Sequence, residues 1–286
     1  MSVDPKEYQK MVVPDYEQLL QMLDSGIVKK IRSKPKHKPF PFGFRGGHYL
    51  GSPGKDVYFC LPKLTSDQFT VVANRVADLF PRTPPDNHLH WAACIRYIYG
   101  CFEKQGCLRS TEDKNRMVIE NPDWDLPFRF MNEVRNRFKH NRNKYGLVIH
   151  YEMRAHRFGD KAIFAQNMAL LEDVVANLQE MTRCYMKSSK IASEIKCWKQ
   201  MFTPYYWCAH YYYEIGDKEN AARYHWLNLE SMEKYCPDAR DGYREKAVSS
   251  LRQLNGCVDE KRWQEVRKWL KKCKNKCLVK IRGPFV

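Results

Sequence analysis

The chain has 286 residues, 49 Lys+Arg against 33 Asp+Glu, a formal net charge of +16 and 43% hydrophobic content. That length allows one or two domains with a real core; no apolar run approaches the ~18 residues of a membrane-spanning helix, and 13% aromatic content excludes wholesale disorder. A positive excess of this size attracts polyanions, whether nucleic acid, an anionic membrane surface or a strongly acidic protein.

Residues 1–28 read as an N-terminal helix. Pro14 sits at a first-turn position, Asp15 and Glu17 suit the helix dipole, and Leu19, Leu20 and Leu23 lead to Gly26 as a stop. Residues 29–64 have a different texture. From Ser25 to Lys55 there is no acid, while Lys29, Lys30, Arg32, Lys34, Lys36, Lys38, Arg45 and Lys55 supply positive charge. Phe40, Phe42, Phe44 and Tyr49 are interleaved with Pro35, Pro39, Pro41, Pro53 and five glycines between Gly43 and Gly54. Proline and glycine at that density exclude a regular helix and predict a basic extended arm, with a short strand at Val57–Leu61.

Residues 65–187 read as a helical domain. Thr65-Ser-Asp-Gln68 is a capping box ahead of Phe69, Val72, Val76 and Leu79, and Pro81, Pro84 and Pro85 end that helix. Three amphipathic helices with matching stripes then predict a bundle. The first runs from His88 to Gln105 with Trp91, Ile95, Ile98 and Phe102 on its face. The second opens at Pro127, its start capped by Asp123 and Asp125, and aligns Phe130, Met131, Val134 and Phe138. The third runs from Lys161 to Met186 with Phe164, Met168, Leu171, Val174, Leu178, Met181 and Tyr185, after an insertion from Asn143 to Asp160.

Residues 188–276 predict two helical hairpins: Tyr205–Glu214 with Glu219–Tyr235 about Gly216-Asp217, and Asp241–Leu254 with Asp259–Lys274 about Asn255-Gly256. Residues 277–286 are apolar and β-branched enough to dock as a strand. The fold class is mainly α.

Eleven cysteines at irregular spacings, among them Cys94, Cys101, Cys184 and Cys208 inside apolar helical stretches, suit free thiols in a reducing compartment rather than a disulfide framework. Cys273 and Cys277 are followed by no second ligand pair at zinc spacing, and His88 and His90 point to different faces. No phosphate-binding glycine loop, nucleophile elbow or HExxH run is present. The chain therefore reads as non-enzymatic, with no metal site and no intrinsic cofactor. Its first residues carry early acids, unlike an Arg-rich, acid-poor presequence.

Ala209-x-x-Tyr212, Gly216-Asp217-x-Glu219-x-Ala221-x-x-Tyr224 and Pro237 together resemble a tetratricopeptide repeat, in which small residues let two antiparallel helices approach closely. Such solenoids need about three repeats, so the two hairpins read as a small scaffold rather than a full repeat domain. The bundle resembles the LYR-motif mitochondrial proteins through Cys94-Ile95-Arg96 with Phe102, and through Val134-Arg-Asn-Arg-Phe-Lys-His-Asn-Arg-Asn143. That resemblance implies a matrix protein whose three-helix bundle docks the mitochondrial acyl carrier protein and admits its acyl-phosphopantetheine chain. It makes Arg96 the motif arginine, Phe138 the phenylalanine near the acyl tunnel, and Arg135, Arg137, Lys139 and Arg142 a basic face for the acidic carrier.

RNA is the other partner the residues point to. In the arm, Lys29, Lys30, Arg32, Lys34, Lys36, Lys38 and Arg45 follow phosphates while Phe40, Phe42 and Phe44 offer rings to unpaired bases. After Glu265 the chain has eight Lys/Arg and no acid: Arg267, Lys268, Lys271, Lys272, Lys274, Lys276, Lys280 and Arg282. The expected function is a non-enzymatic component of a large ribonucleoprotein, a mitochondrial ribosome or its assembly intermediate. The alternative is an LYR-type accessory subunit of a respiratory complex such as complex I, with protein contacts only.

Overall fold

The computed structural model describes residues 15–24, 64–78, 80, 82, 108–110, 117–119, 125–236 and 241–286. The basic arm, the Val57–Leu61 strand and the helix expected from His88 to Gln105, with Arg96, lie outside the described residues. The fold is mainly α, and the chain divides into two compact units, 1–146 and 147–286.

In the first unit, α1 (Tyr16–Asp24) lies against α2 (Ser66–Asp78), which packs on α3 (Asp125–His140). The capping box forms in full: the Thr65 amide donates to Gln68 Oε1 at 3.0 Å and the Gln68 amide to Thr65 Oγ1 at 3.3 Å. The stripe Phe69, Val72 and Val76 is buried against Phe130, Met131, Val134 and Phe138, with Phe69 meeting Phe130 edge-on at 5.8 Å. A short antiparallel ladder joins β1 (Leu108–Ser110) to β2 (Met117–Ile119), pairing Arg109 with Val118.

The segment expected as an insertion after Asn143 is instead helix, α4 (Lys144–Asn167). It shows no single stripe in the sequence because its first half is buried on several sides, through Tyr145, Val148, Ile149, Tyr151 and Met153, and its second half packs through the small residues Ala155, Gly159, Ala162 and Ala165. A Cβ on Gly159 would stand 2.5 Å from the Tyr211 ring, and one on Gly146 would stand 2.5 Å from Phe138. At these two glycines the neighbouring ring approaches the helix backbone closely.

The helix expected to run unbroken from Lys161 to Met186 ends at Asn167 and restarts as α5 (Leu171–Glu194). Met168 and Leu171 therefore leave the stripe and stand 58% and 73% exposed, while Val174, Leu178, Met181 and Tyr185 stay buried.

From Leu147 onward α5 packs on α6 (Trp198–Glu214), α6 on α7 (Lys218–Tyr235) and α7 on α8 (Asp241–Cys257), while α9 (Glu260–Lys272) adds Trp263, Val266 and Leu270 to the core beside α8. Ser188 Oγ donates to the Val148 carbonyl at 2.9 Å, tying the end of α5 to the start of α4. Alternate helices run parallel. Tyr206–Ser249 and Lys246–Thr203, each 43 residues apart, join α6 to α8, while Tyr211–Asp160, 51 apart, joins α6 to α4. These steps are unequal, so no fixed period runs along the sequence here.

Two clusters fill this stack. Tyr151, Ala155, Met181, Tyr185, Cys208 and Ala209 form one, and Phe202, Leu229, Leu251, Trp263, Leu270 and Leu278 belong to the other. Asn255 and Gly256 lie inside α8 rather than in a turn. Residues 277–286 are not a strand: α10 (Lys276–Ile281) and a 3-10 turn (Gly283–Phe285) bury Cys277, Leu278 and Ile281 at helical spacing against the second cluster. No helix among the described residues is long and apolar enough to cross a membrane.

One turn recurs along the chain. Arg142, Ala169, Lys196 and Gly216 have φ of 52°, 58°, 54° and 84°. The amide of the residue after each donates five residues back: Asn143 to Phe138, Leu170 to Ala165, Cys197 to Ala192 and Asp217 to Tyr212. This is the Schellman helix end, which favours glycine at the left-handed position. Only Gly216 carries that signature, and only that turn was readable from residue type.

Candidate functional site

Two polar nodes lie inside the stack. In the first, His156 Nδ1 stands 3.0 Å from the Tyr185 hydroxyl and 3.3 Å from that of Tyr211, which donates to Asp160 Oδ1 at 2.9 Å. In the second, His225 Nδ1 stands 3.2 Å from Ser250 Oγ, which also accepts from Asn228 Nδ2 at 2.9 Å. A serine beside a histidine has the outline of a nucleophile and its base. Here His225, Asn228 and Ser250 all have 0% accessible surface, so a substrate carbonyl cannot reach the hydroxyl. Burial, followed by the nearby His210 charge, pushes His225 down to about 4. The node orients α7 on α8 and holds a neutral imidazole.

The seven described cysteines are free thiols, and burial pushes the Cys273 thiol up to about 12, with the Glu233 charge adding to it. A thiol held protonated is a poor nucleophile or metal ligand. Among the described residues no group of three or more His, Cys, Asp or Glu is placed to hold a metal ion.

The α3 cations have different environments from those expected. Arg137 makes a two-pronged contact with Asp78 of α2, Nε to Oδ1 at 2.9 Å and Nη2 to Oδ2 at 2.8 Å, and Asn141 Nδ2 adds 2.8 Å to the same carboxylate. The Arg137 guanidinium holds the Asp78 carboxyl below the usual carboxylate range. Arg135 is half-buried, and its Nε has no hydrogen-bond partner among the described residues. Phe138 is 1% exposed, edge-on to Phe80 at 5.0 Å, and fills the space above Gly146. Lys139 and Arg142 are exposed.

The C-terminal cations form the other set. On α9, Trp263, Val266 and Leu270 face the core, which turns Lys268, Lys271 and Lys272 to solvent. Lys274, Lys276 and Lys280 are exposed on the turn and on α10. Arg267 is engaged in the fold, donating to the carbonyls of Phe285 at 3.0 Å and Val286 at 3.2 Å.

The turn between α9 and α10 is held by a residue that no sequence pattern marked. Glu233, in the last turn of α7, accepts from the Lys274 amide at 2.8 Å and the Asn275 amide at 3.0 Å. Asn275 caps α10 through the Cys277 amide at 2.9 Å and donates to the Cys236 carbonyl at 2.8 Å. The Glu233 carboxylate is thus bound to backbone amides of the turn rather than to its lysine side chains. Glu233 lies 41 residues from Lys274, and nothing in local spacing connects them.

No protein-family model, curated protein or solved structure matches this chain. Its function is therefore read from this arrangement alone: a mainly helical stack with buried polar nodes and an exposed lysine edge.

Proposed function

We propose that the chain is a non-enzymatic helical scaffold of a ribonucleoprotein that contacts RNA along the edge formed by α9 and α10. The observation that carries this reading is the separation of roles on that edge. Arg267 and Arg282 bind the chain's own carbonyls, while Lys268, Lys271, Lys272, Lys274, Lys276 and Lys280 face solvent with no acid among residues 266–286. Lysines so placed neutralise phosphates and release counterions without reading sequence. The basic arm, Lys29 to Lys55, would add contacts of the same kind. The LYR resemblance would place such an assembly in mitochondria, in a ribosome or one of its intermediates.

The test is binding of the full chain to RNA across a salt series, beside the variant Lys268→Glu/Lys271→Glu/Lys272→Glu. Wild type should show a steep linear loss of log affinity with log salt. Three lost phosphate contacts should reduce that slope by about 2, at roughly 0.7 per contact for single strands. Equal affinity and equal slope for the variant would refute the assignment.

An acidic protein is the alternative partner, and the exposure of Lys139 and Arg142 at the end of α3 favours it there. Reversal of these two charges should release an acyl carrier protein from the purified assembly while RNA stays bound. Retention of the carrier would remove that reading.

A further inference from the structure

A single apolar side chain in water is ordinary, but a group of them marks a surface that something covers. One such group stands at the α4–α5 turn. Met168 and Leu170 in the turn, with Leu171 and Val175 on α5, are between 49% and 73% exposed. Leu171 lies four residues and Glu172 three residues before Val175, so these three are neighbours on one side of the helix. The local charge is the reverse of the chain's +16: residues 162–182 hold Glu172, Asp173 and Glu180 and no Lys or Arg. A polyanion is repelled here, and an apolar surface that carries cations is attracted.

The chain has such a surface of its own. On α10, Lys276, Val279 and Lys280 lie at three- and four-residue spacing on one side, all exposed, while Cys277, Leu278 and Ile281 are buried on the other. Val279 is thus an apolar side chain between two lysines, in a stretch without acids. One molecule cannot bring its own two patches together. Gln166 Nε2 donates to the Ile215 carbonyl at 3.1 Å, which holds the end of α4 beside the end of α6, where α7 begins. At the far end of α7, Glu233 accepts from the amides of Lys274 and Asn275, the residues that lead into α10. The 18 residues of α7, about 27 Å at 1.5 Å each, separate the patches.

We propose that the α4–α5 turn docks the α10 face of a second copy, with Leu171 and Val175 on Val279 and Glu172 toward Lys276 and Lys280, so that copies associate head to tail. The two patches differ, so the contact does not close as a two-fold dimer does, and each added copy leaves one patch of each kind open. This inference goes beyond the RNA reading and does not depend on it. Lys276 and Lys280 also belong to the proposed RNA edge, so the measurement is made with nucleic acid removed.

The test is sedimentation velocity of the full chain over a series of concentrations. Wild type should shift from the mass of one chain to beyond that of two as concentration rises. Leu171→Ser/Val175→Ser and Lys276→Glu/Lys280→Glu should each sediment as one chain throughout. Both should melt at the wild-type temperature, because the replaced side chains are exposed. Mixed in equal amounts, the two variants should form a two-chain species and nothing larger, since each keeps the patch that the other has lost. A wild type that stays a single chain at every concentration would overturn the proposal. So would variants that fail to associate on mixing, or that associate alone as wild type does. Failure of the RNA reading would show in the salt series and leave all of these results unchanged.

Discussion

α3 and α9 are both short, strongly basic helices, yet their charges end in opposite places. In α3, Arg137 is clamped to Asp78 and Arg135 is half-buried, so much of the positive charge serves the contact with α2. In α9, the core side holds Trp263, Val266 and Leu270, and Lys268, Lys271 and Lys272 are exposed. Arginine explains part of the difference. Its planar fork suits a fixed carboxylate, whereas a lysine ammonium stays hydrated on a flexible stem. A count of cations along a sequence does not distinguish charge used to build a fold from charge offered to a partner, but the balance of Arg and Lys begins to.

The comparison is sharpest where packing anchors α3. Phe138→Ala should cost about 3–5 kcal/mol, because the ring fills the space between Phe80 and Gly146. Urea unfolding of the variant should show the loss, and no lysine on α9 should have a comparable effect. A basic group turned wholly inward takes the contrast to its limit. Because His225 is held near 4 against an ordinary 6.5, the unfolded chain takes the proton first as the medium acidifies. Stability should therefore fall between pH 6.5 and pH 4, by up to ~3 kcal/mol. His225→Asn should flatten that part of the stability–pH curve.

Smaller effects follow at the turns and the ion pair. Lys196 sits in a left-handed conformation that disfavours a side chain, so Lys196→Gly should raise stability by about 1 kcal/mol in the same unfolding assay. Asp78→Asn should cost less than about 1 kcal/mol, since the Arg137 pair is over a third exposed. Its contribution is present above the ordinary carboxylate pKa of 3.8 and fades as pH falls through the lowered value. Reversing Lys268, Lys271 and Lys272 should move stability by no more than about 0.5 kcal/mol, although these residues carry the proposed RNA contact.

What the sequence disclosed followed from the type of signal. The capping box at Thr65, the Phe130–Phe138 stripe and the Gly216-Asp217 turn rest on local chemistry, and each stands where expected. α4 shows no single stripe because its first half is buried on several sides and its second half packs through Gly159 and alanines, and Ala169 ends it where glycine would be the usual signal. The tail was misread because Cys277, Leu278 and Ile281 are β-tolerant residues whose helical spacing matters only once the second cluster offers a surface. Lys268, Lys271, Lys272, Lys274 and Lys276 were visible as a charge run. Glu233, which shapes their turn, was not, since its meaning lies in a contact between helices distant in sequence.

The recurring left-handed turn bears on how the chain acquires its shape. Each reversal at Arg142, Ala169, Lys196 and Gly216 is closed by a hydrogen bond reaching back only five residues. A loop that short costs little entropy to close, so a helix can double back before distant parts of the chain have found their places. The helices from Leu147 onward can then join one after another, as a zipper does, with folding spreading from neighbour to neighbour. Amide exchange should accordingly be fastest in the helices at either end of the stack and slowest in α6 and α7 between them.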